Sequence, residues 1–220
     1  RRMGRRPRRI RVGGVKMPNW EHVSTNLKFC LDNINIDSDK THILEFGTGG
    51  GRSILFIKEE LDKQEKKFEV FGFDSNIGLP EDWVSDLGEV VAPKERLLIS
   101  EEIAEACMAA YEKNNITFFE GWFKDTIPMY KKQAKNIALL HIDCDIYSST
   151  MEVLNNLNEF IVPGTIIIFD EWFYNYNKKY HDHEQKAFYE WVENKNREFK
   201  FLDIDMTPGF VELKTIKITK

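Results

Sequence analysis

Five short apolar runs, each closing on an acid, constrain this chain more than any other feature. They are Ile43-Leu44-Glu45, Phe68 through Asp74, Ile116 through Glu120, Ile137 through Asp143 and Thr165 through Asp170. Between them the apolar residues recur at helical spacing, as at Ile54, Leu55, Ile57 and Leu61, or at Val153, Leu154, Leu157 and Ile161. Strand, helix and strand within about 30 residues form a right-handed βαβ unit. The repetition predicts an α/β, Rossmann-like, doubly wound sheet of seven strands, mostly parallel, with helices on both faces and an antiparallel strand at the C-terminus. That last strand comes from the pair expected at Lys200–Asp205 and Phe210–Ile218, joined through Pro208-Gly209. In a parallel sheet the acids gather along the carboxyl edge, where open α/β sheets bind their ligands.

The first acid opens a glycine turn, Glu45-Phe46-Gly47-Thr48-Gly49-Gly50-Gly51-Arg52-Ser53, followed by a helix. Glycines here supply positive φ and let a ligand approach the main chain. A dinucleotide fingerprint counted from Gly47 would need glycine at 52, where arginine stands, and the lysine of a phosphate-cradling loop is missing. What remains, E-x-G-x-G-x-G, resembles the first motif of class I S-adenosylmethionine-dependent methyltransferases. Asp74, at the end of the next strand, has the position of a ribose-binding acid.

Asp143, Asp145, Asp170 and Glu171 are a different group, with Asp143 and Asp170 27 residues apart. Several carboxylates at neighbouring strand ends repel one another, which a hard, oxygen-liganded cation such as Mg²⁺ relieves; a solvated acidic rim is the alternative. His181-Asp182-His183-Glu184 reads as an exposed helix start, with either histidine a candidate substrate contact, and His141 as a satisfied core histidine. Trp122, Trp172 and Tyr174 follow strand ends and serve either as walls for an adenine or sugar or as core. Ser149 and Glu152 form a capping box for the helix after Asp145. Residues 75–99 are cut by Gly78, Pro80, Gly88 and Pro93 into pieces that local pattern does not assign.

A chain of 220 residues with 42% hydrophobic content suits one domain. Residues 1–16 read as a basic flexible arm and 17–220 as a single domain that begins with an amphipathic helix over 18–36. The net charge of −5 combines +8 in residues 1–20 with −13 in the remaining 200, and an acidic body argues against a nucleic-acid partner. Three widely spaced cysteines, Cys30, Cys107 and Cys144, together with the lack of a long apolar run, lead to the expectation of a soluble cytoplasmic protein that does not engage a membrane.

Four segments together resemble one family, the macrocin O-methyltransferase-like enzymes. Besides Glu45–Ser53 they are Phe73-Asp74-Ser75-Asn76-Ile77-Gly78-Leu79-Pro80-Glu81, Glu120-Gly121-Trp122-Phe123 through Pro128, and His141-Ile142-Asp143-Cys144-Asp145 through Thr150. The resemblance implies Mg²⁺-dependent methylation of a hydroxyl on a sugar or other small molecule. It implies that Glu45, Gly47, Gly49, Gly51 and Ser53 hold the methionine part of S-adenosyl-L-methionine, Asp74 and Ser75 the ribose, and Gly121, Trp122 and Phe123 the adenine side. It also implies a metal at Asp143, Asp170 and Glu171, with Asp143 beside the cofactor as the catalytic base. The expected partners are the hydroxyl acceptor and, among proteins, a second copy of the chain. The family usually has two aspartates followed by tyrosine and glycine after the fifth strand, whereas this chain has Asp170-Glu171-Trp172-Phe173. Two other readings remain: a metal-independent methyltransferase acting on RNA or protein, and a non-catalytic S-adenosylmethionine-binding protein.

Overall fold

The computed structural model describes residues 20–85, 88–172, 183–202 and 213–220. The basic arm, Phe173, Tyr174, His181 and the Pro208-Gly209 turn lie outside these residues. The first elements are α1 (Trp20–Asp32), β1 (Thr41–Phe46), α2 (Arg52–Lys63) and β2 (Glu69–Asp74). A small hairpin, β3 (Trp83–Val84) and β4 (Val90–Ala92), precedes α3 (Glu101–Lys113), β5 (Ile116–Glu120) and α4 (Phe123–Tyr130). The chain continues through β6 (Asn136–Ile142), α5 (Tyr147–Leu157), β7 (Ile161–Phe169), α6 (Glu184–Lys195), β8 (Phe199–Phe201) and β9 (Lys214–Ile218).

The main sheet has seven strands in the order β5-β2-β1-β6-β7-β9-β8. The first five run parallel, and β9 and β8 close the sheet antiparallel. Burial on both faces explains the near-continuous apolar strands. Ile43, Val70, Leu139 and Ile166 pack under α1, α2 and α3 on one face. Leu44, Phe71, Leu140 and Ile167 pack under α4, α5 and α6 on the other. Three helices on each face make the sheet doubly wound, as expected.

One irregularity lies in β6, the strand that leads to Asp143. The register of β6 against β1 shifts, so that His42 faces Ile137 and the next residue, Ile43, faces Leu139. Ala138 is the extra residue of a bulge, and both Ala138 and Leu139 pack on the α1–α3 face. From there the alternation carries His141 and Asp143 to that same face.

The structure corrects the local expectations in three places. Among the described residues helix α1 covers Trp20–Asp32 and ends four residues before the expected 36. Helix α5 begins at Tyr147 behind Ile146, which makes no side-chain cap, so Ser149 is a buried residue inside the helix and not the start of a capping box. The cap comes from far away: the Tyr147 N–H donates to His183 Nδ1 at 3.2 Å. The unassigned stretch 75–99 contributes the hairpin, whose Trp83 and Ala92 bury with Leu79 and Ile146 in a small core of their own. Ser100 caps α3 as expected, its Oγ accepting from the Ile103 N–H. Among the described residues no helix is long and apolar enough to cross a membrane.

Candidate active site

Beyond the last residue of β5, β1, β6 and β7, one more backbone hydrogen bond fixes the next residue against its neighbour. Gly121 N–H donates to the Asp74 carbonyl at 2.8 Å and Gly47 N–H to that of Phe73 at 2.9 Å. Asp143 N–H donates to Phe46 at 2.9 Å, and Asp170 N–H to Ile142 at 3.0 Å. The residues singled out from sequence are therefore the first ones past the sheet, held in line by it. Gly47 has φ +88°, and a Cβ there would lie 1.7 Å from the Asp143 carbonyl oxygen. Only glycine lets the two strand ends meet so closely.

These ends form the floor of a cavity of about 730 Å³. Gly47, Gly49, Ser53, Asp74 and Ser75 line one part, Gly121, Trp122 and Phe123 a second, and Asp143, Asp145, Asp170 and Glu171 a third. The hairpin segment covers it through Leu79, Trp83 and Ala92. On the glycine side, Gly49 N–H donates to Asp74 Oδ2 at 2.8 Å and Asn76 N–H donates to Oδ1 at 2.8 Å. Each carboxylate oxygen keeps a free lone pair for a ligand hydroxyl.

Two residues predicted to touch a ligand sit beneath the cavity. Glu45 is fully buried, accepts from Ser53 Oγ at 2.7 Å and faces His141 Nδ1 at 3.1 Å. It locks the glycine turn to β6 and is absent from the lining. Gly51 caps α2 with φ +74°, and a Cβ there would come 2.6 Å from the Tyr111 hydroxyl, so its smallness makes room for α3.

The acidic third of the site holds ligand atoms of His141, Asp143 and Asp170 all within 4.8 Å of one another. Glu171 lines the cavity with a buried, unpartnered Oε2 but lies outside that group. Its backbone N–H donates to Glu184 Oε2 at 3.0 Å, and Glu184 is itself fully buried. Burial, then the charge of Asp170, pushes the Asp143 carboxyl well above the usual carboxylate range. The same two causes raise Asp145 to about 7. Burial and the neighbouring acids raise Glu171 and Glu184 as well. Burial disfavours a charged His141, but the facing carboxylates of Asp170 and Glu45 outweigh it and hold its pKa well above ordinary. His141 Nε2 is buried without a hydrogen-bond partner, 3.8 Å from Asp170 Oδ1. Crowded acids with unpartnered oxygens beside an open cavity fit a divalent cation.

The sequence reading of His141 as a plain core residue missed this cluster. The signal was its place two residues before Asp143, on the same side of the strand. Trp172 is core: it is 1% exposed and its ring lies against Phe169, Phe188 and Tyr189. His183 is not exposed as expected but buried, its Nε2 donating to the Val84 carbonyl at 2.7 Å.

A family model described as Macrocin-O-methyltransferase (TylF) matches residues 20–208. The chain belongs to the macrocin O-methyltransferase family. A Streptomyces olivaceus member of similar sequence, an 8-demethyl-8-(2,3-dimethoxy-alpha-L-rhamnosyl)-tetracenomycin-C 4'-O-methyltransferase, is 28% identical over 67% of this chain and 59% of its own length. The mycinamicin III 3''-O-methyltransferase of Micromonospora griseorubida is 26% identical over 67% of this chain and 61% of its own. The chain thus spans less than two thirds of the length of these curated relatives. Among solved structures, the O-methyltransferase NovP superposes with a TM-score of 0.66 at 21% identity, over 90% of this chain and 80% of its own. The calicheamicin methyltransferase CalS11 gives 0.65 at 18%, over 98% and 99%. These two likenesses show that the chain has a methyltransferase-like fold.

Proposed function

We propose that this chain is an S-adenosylmethionine-dependent O-methyltransferase that methylates a hydroxyl of a sugar or other small molecule with the help of Mg²⁺. The observation that carries the proposal is a cavity in which a glycine turn with Asp74 faces the acids Asp143 and Asp170. The Streptomyces olivaceus relative is named for methylating a rhamnosyl-bearing tetracenomycin, which supports a sugar acceptor. When bound, the cofactor supplies an electrophilic methyl group, and the cation lowers the pKa of the acceptor hydroxyl.

The chain's own residues do the rest. Gly47 and Gly49 allow close approach of the methionine part, Asp74 accepts hydrogen bonds from the ribose, and Trp122 and Phe123 wall the adenine side. Asp143 and Asp170 would hold the cation, and Asp143 takes the hydroxyl proton as the oxygen attacks in line. Leu79 and Trp83 keep water from the reacting atoms. Three free, buried cysteines fit a reducing cytoplasmic setting.

Calorimetry tests the reading. S-Adenosylhomocysteine should bind the wild-type chain, and Asp74→Ala should weaken it roughly 10-fold or more, as loss of hydrogen bonds to a charged group does. A Mg²⁺ titration should release heat with wild-type protein and none with the Asp143→Asn/Asp170→Asn pair. Absence of S-adenosylhomocysteine binding would sink the cofactor assignment, and absence of a Mg²⁺ signal the metal.

A further inference from the structure

We propose that Arg52, stacked on Trp20, clamps the carboxylate of the cofactor's methionine moiety; this rests on the cofactor assignment above. The cavity wall is acid-rich, with Asp74, Asp143, Asp145, Glu152, Asp170 and Glu171, so a ligand carboxylate meets repulsion along most of it. The cations that line it among the described residues are Arg52, Lys94 and Lys124. Lys94 belongs to the hairpin segment and Lys124 follows the adenine-side aromatics. Arg52 opens α2 directly after the glycine turn, at the end assigned to methionine.

The guanidinium is held in a defined pose. Its central carbon lies 4.0 Å over the Trp20 ring centroid. Phe56, one turn along α2, braces Trp20 edge-on at 5.6 Å and 88°. Trp20 and Arg52 both line the cavity, so α1 brings its first residue to the ligand edge as a platform. Stacking occupies the face of the guanidinium and leaves its N–H donors free in the plane, where a carboxylate accepts two of them in parallel. Among the described residues Arg52 has no carboxylate partner, so this fork is unspent. An exposed arginine that merely solvates a surface needs neither the indole beneath it nor the ring behind that.

The test compares S-adenosylmethionine with its decarboxylated form, two ligands that differ only in the carboxylate, by calorimetry. Arg52→Gln should weaken S-adenosylmethionine roughly 10- to 100-fold, in line with charge-assisted hydrogen bonds, and decarboxylated S-adenosylmethionine by less than about twofold. Trp20→Ala should show a smaller loss with the same selectivity, and Arg52→Lys should recover part of the affinity. Equal losses for both ligands, or unchanged S-adenosylmethionine affinity in Arg52→Gln, would overturn the clamp while leaving the cofactor assignment standing. A wild-type chain that bound neither ligand would overturn both.

Discussion

At Asp143 stability and chemistry pull in opposite directions. Burial and the charge of Asp170 both disfavour its ionised form, so in the metal-free chain this carboxylate is a local cost to the fold. A cation held between Asp143 and Asp170 would offset that cost and keep the carboxylate ionised, the form that can take a proton. Replacing it with asparagine should therefore lower turnover about 100- to 10,000-fold, the range for loss of a general base. The Tm of the metal-free variant should stay level or rise. Turnover assays and melting curves on the same preparations check both; a fall in Tm with turnover retained would contradict the assignment. Glu45 shows how far a residue can be read without coordinates. An acid before a glycine turn is legible as important, but its place below the cavity floor, accepting from Ser53 and facing His141, is not. Which of two acids faces the cavity depends on strand parity, and the apolar runs conceal parity because both faces are buried.

At the scale of elements, one histidine adds a polar tie to the apolar core that holds the hairpin over the site. His183 donates to the Val84 carbonyl and accepts from the Tyr147 N–H, so a single ring joins the hairpin, α5 and the start of α6. His183→Ala removes the partner of the part-buried Tyr147 N–H and of the Val84 carbonyl, which costs about 1–3 kcal/mol in urea unfolding. Amide exchange should quicken selectively over 83–92 and at the first turn of α5; uniform protection across the chain would show that the hairpin is held by its apolar contacts alone. The strands and most helices were legible because period and capping are local: Ser100 caps α3 as its sequence demands. The hairpin and the cap of α5 were not, because their partners lie 36 and 99 residues away from His183. No window of neighbouring residues contains that information.

For the whole molecule, acid sensitivity has a defined source outside the active site. His42 sits at the start of β1 with its Nδ1 3.0 Å from the Tyr130 hydroxyl. Burial lowers its pKa to about 4, with the charge of Glu69 opposing the fall. An unfolded histidine titrates near 6.5, so the unfolded chain binds the extra proton first, and stability present above that value is lost as pH falls towards 4. Between pH 7 and pH 5 this amounts to at most about 2 kcal/mol. Urea unfolding of wild type and His42→Gln at the two pH values should show the variant losing less; parallel losses would place the sensitivity elsewhere. The doubly wound sheet was legible in the five acid-terminated runs, since each run is long enough to name its strand. The extra residue at Ala138 was not, because a bulge inside an unbroken apolar run leaves no mark in composition. Its consequence is genetic as much as geometric. Deleting the Ala138 codon would leave Ile137 and Leu139 in simple alternation with His141 and Asp143 still on the α1–α3 face, so the strand can lose that one residue in frame and keep its chemistry aimed at the same helices.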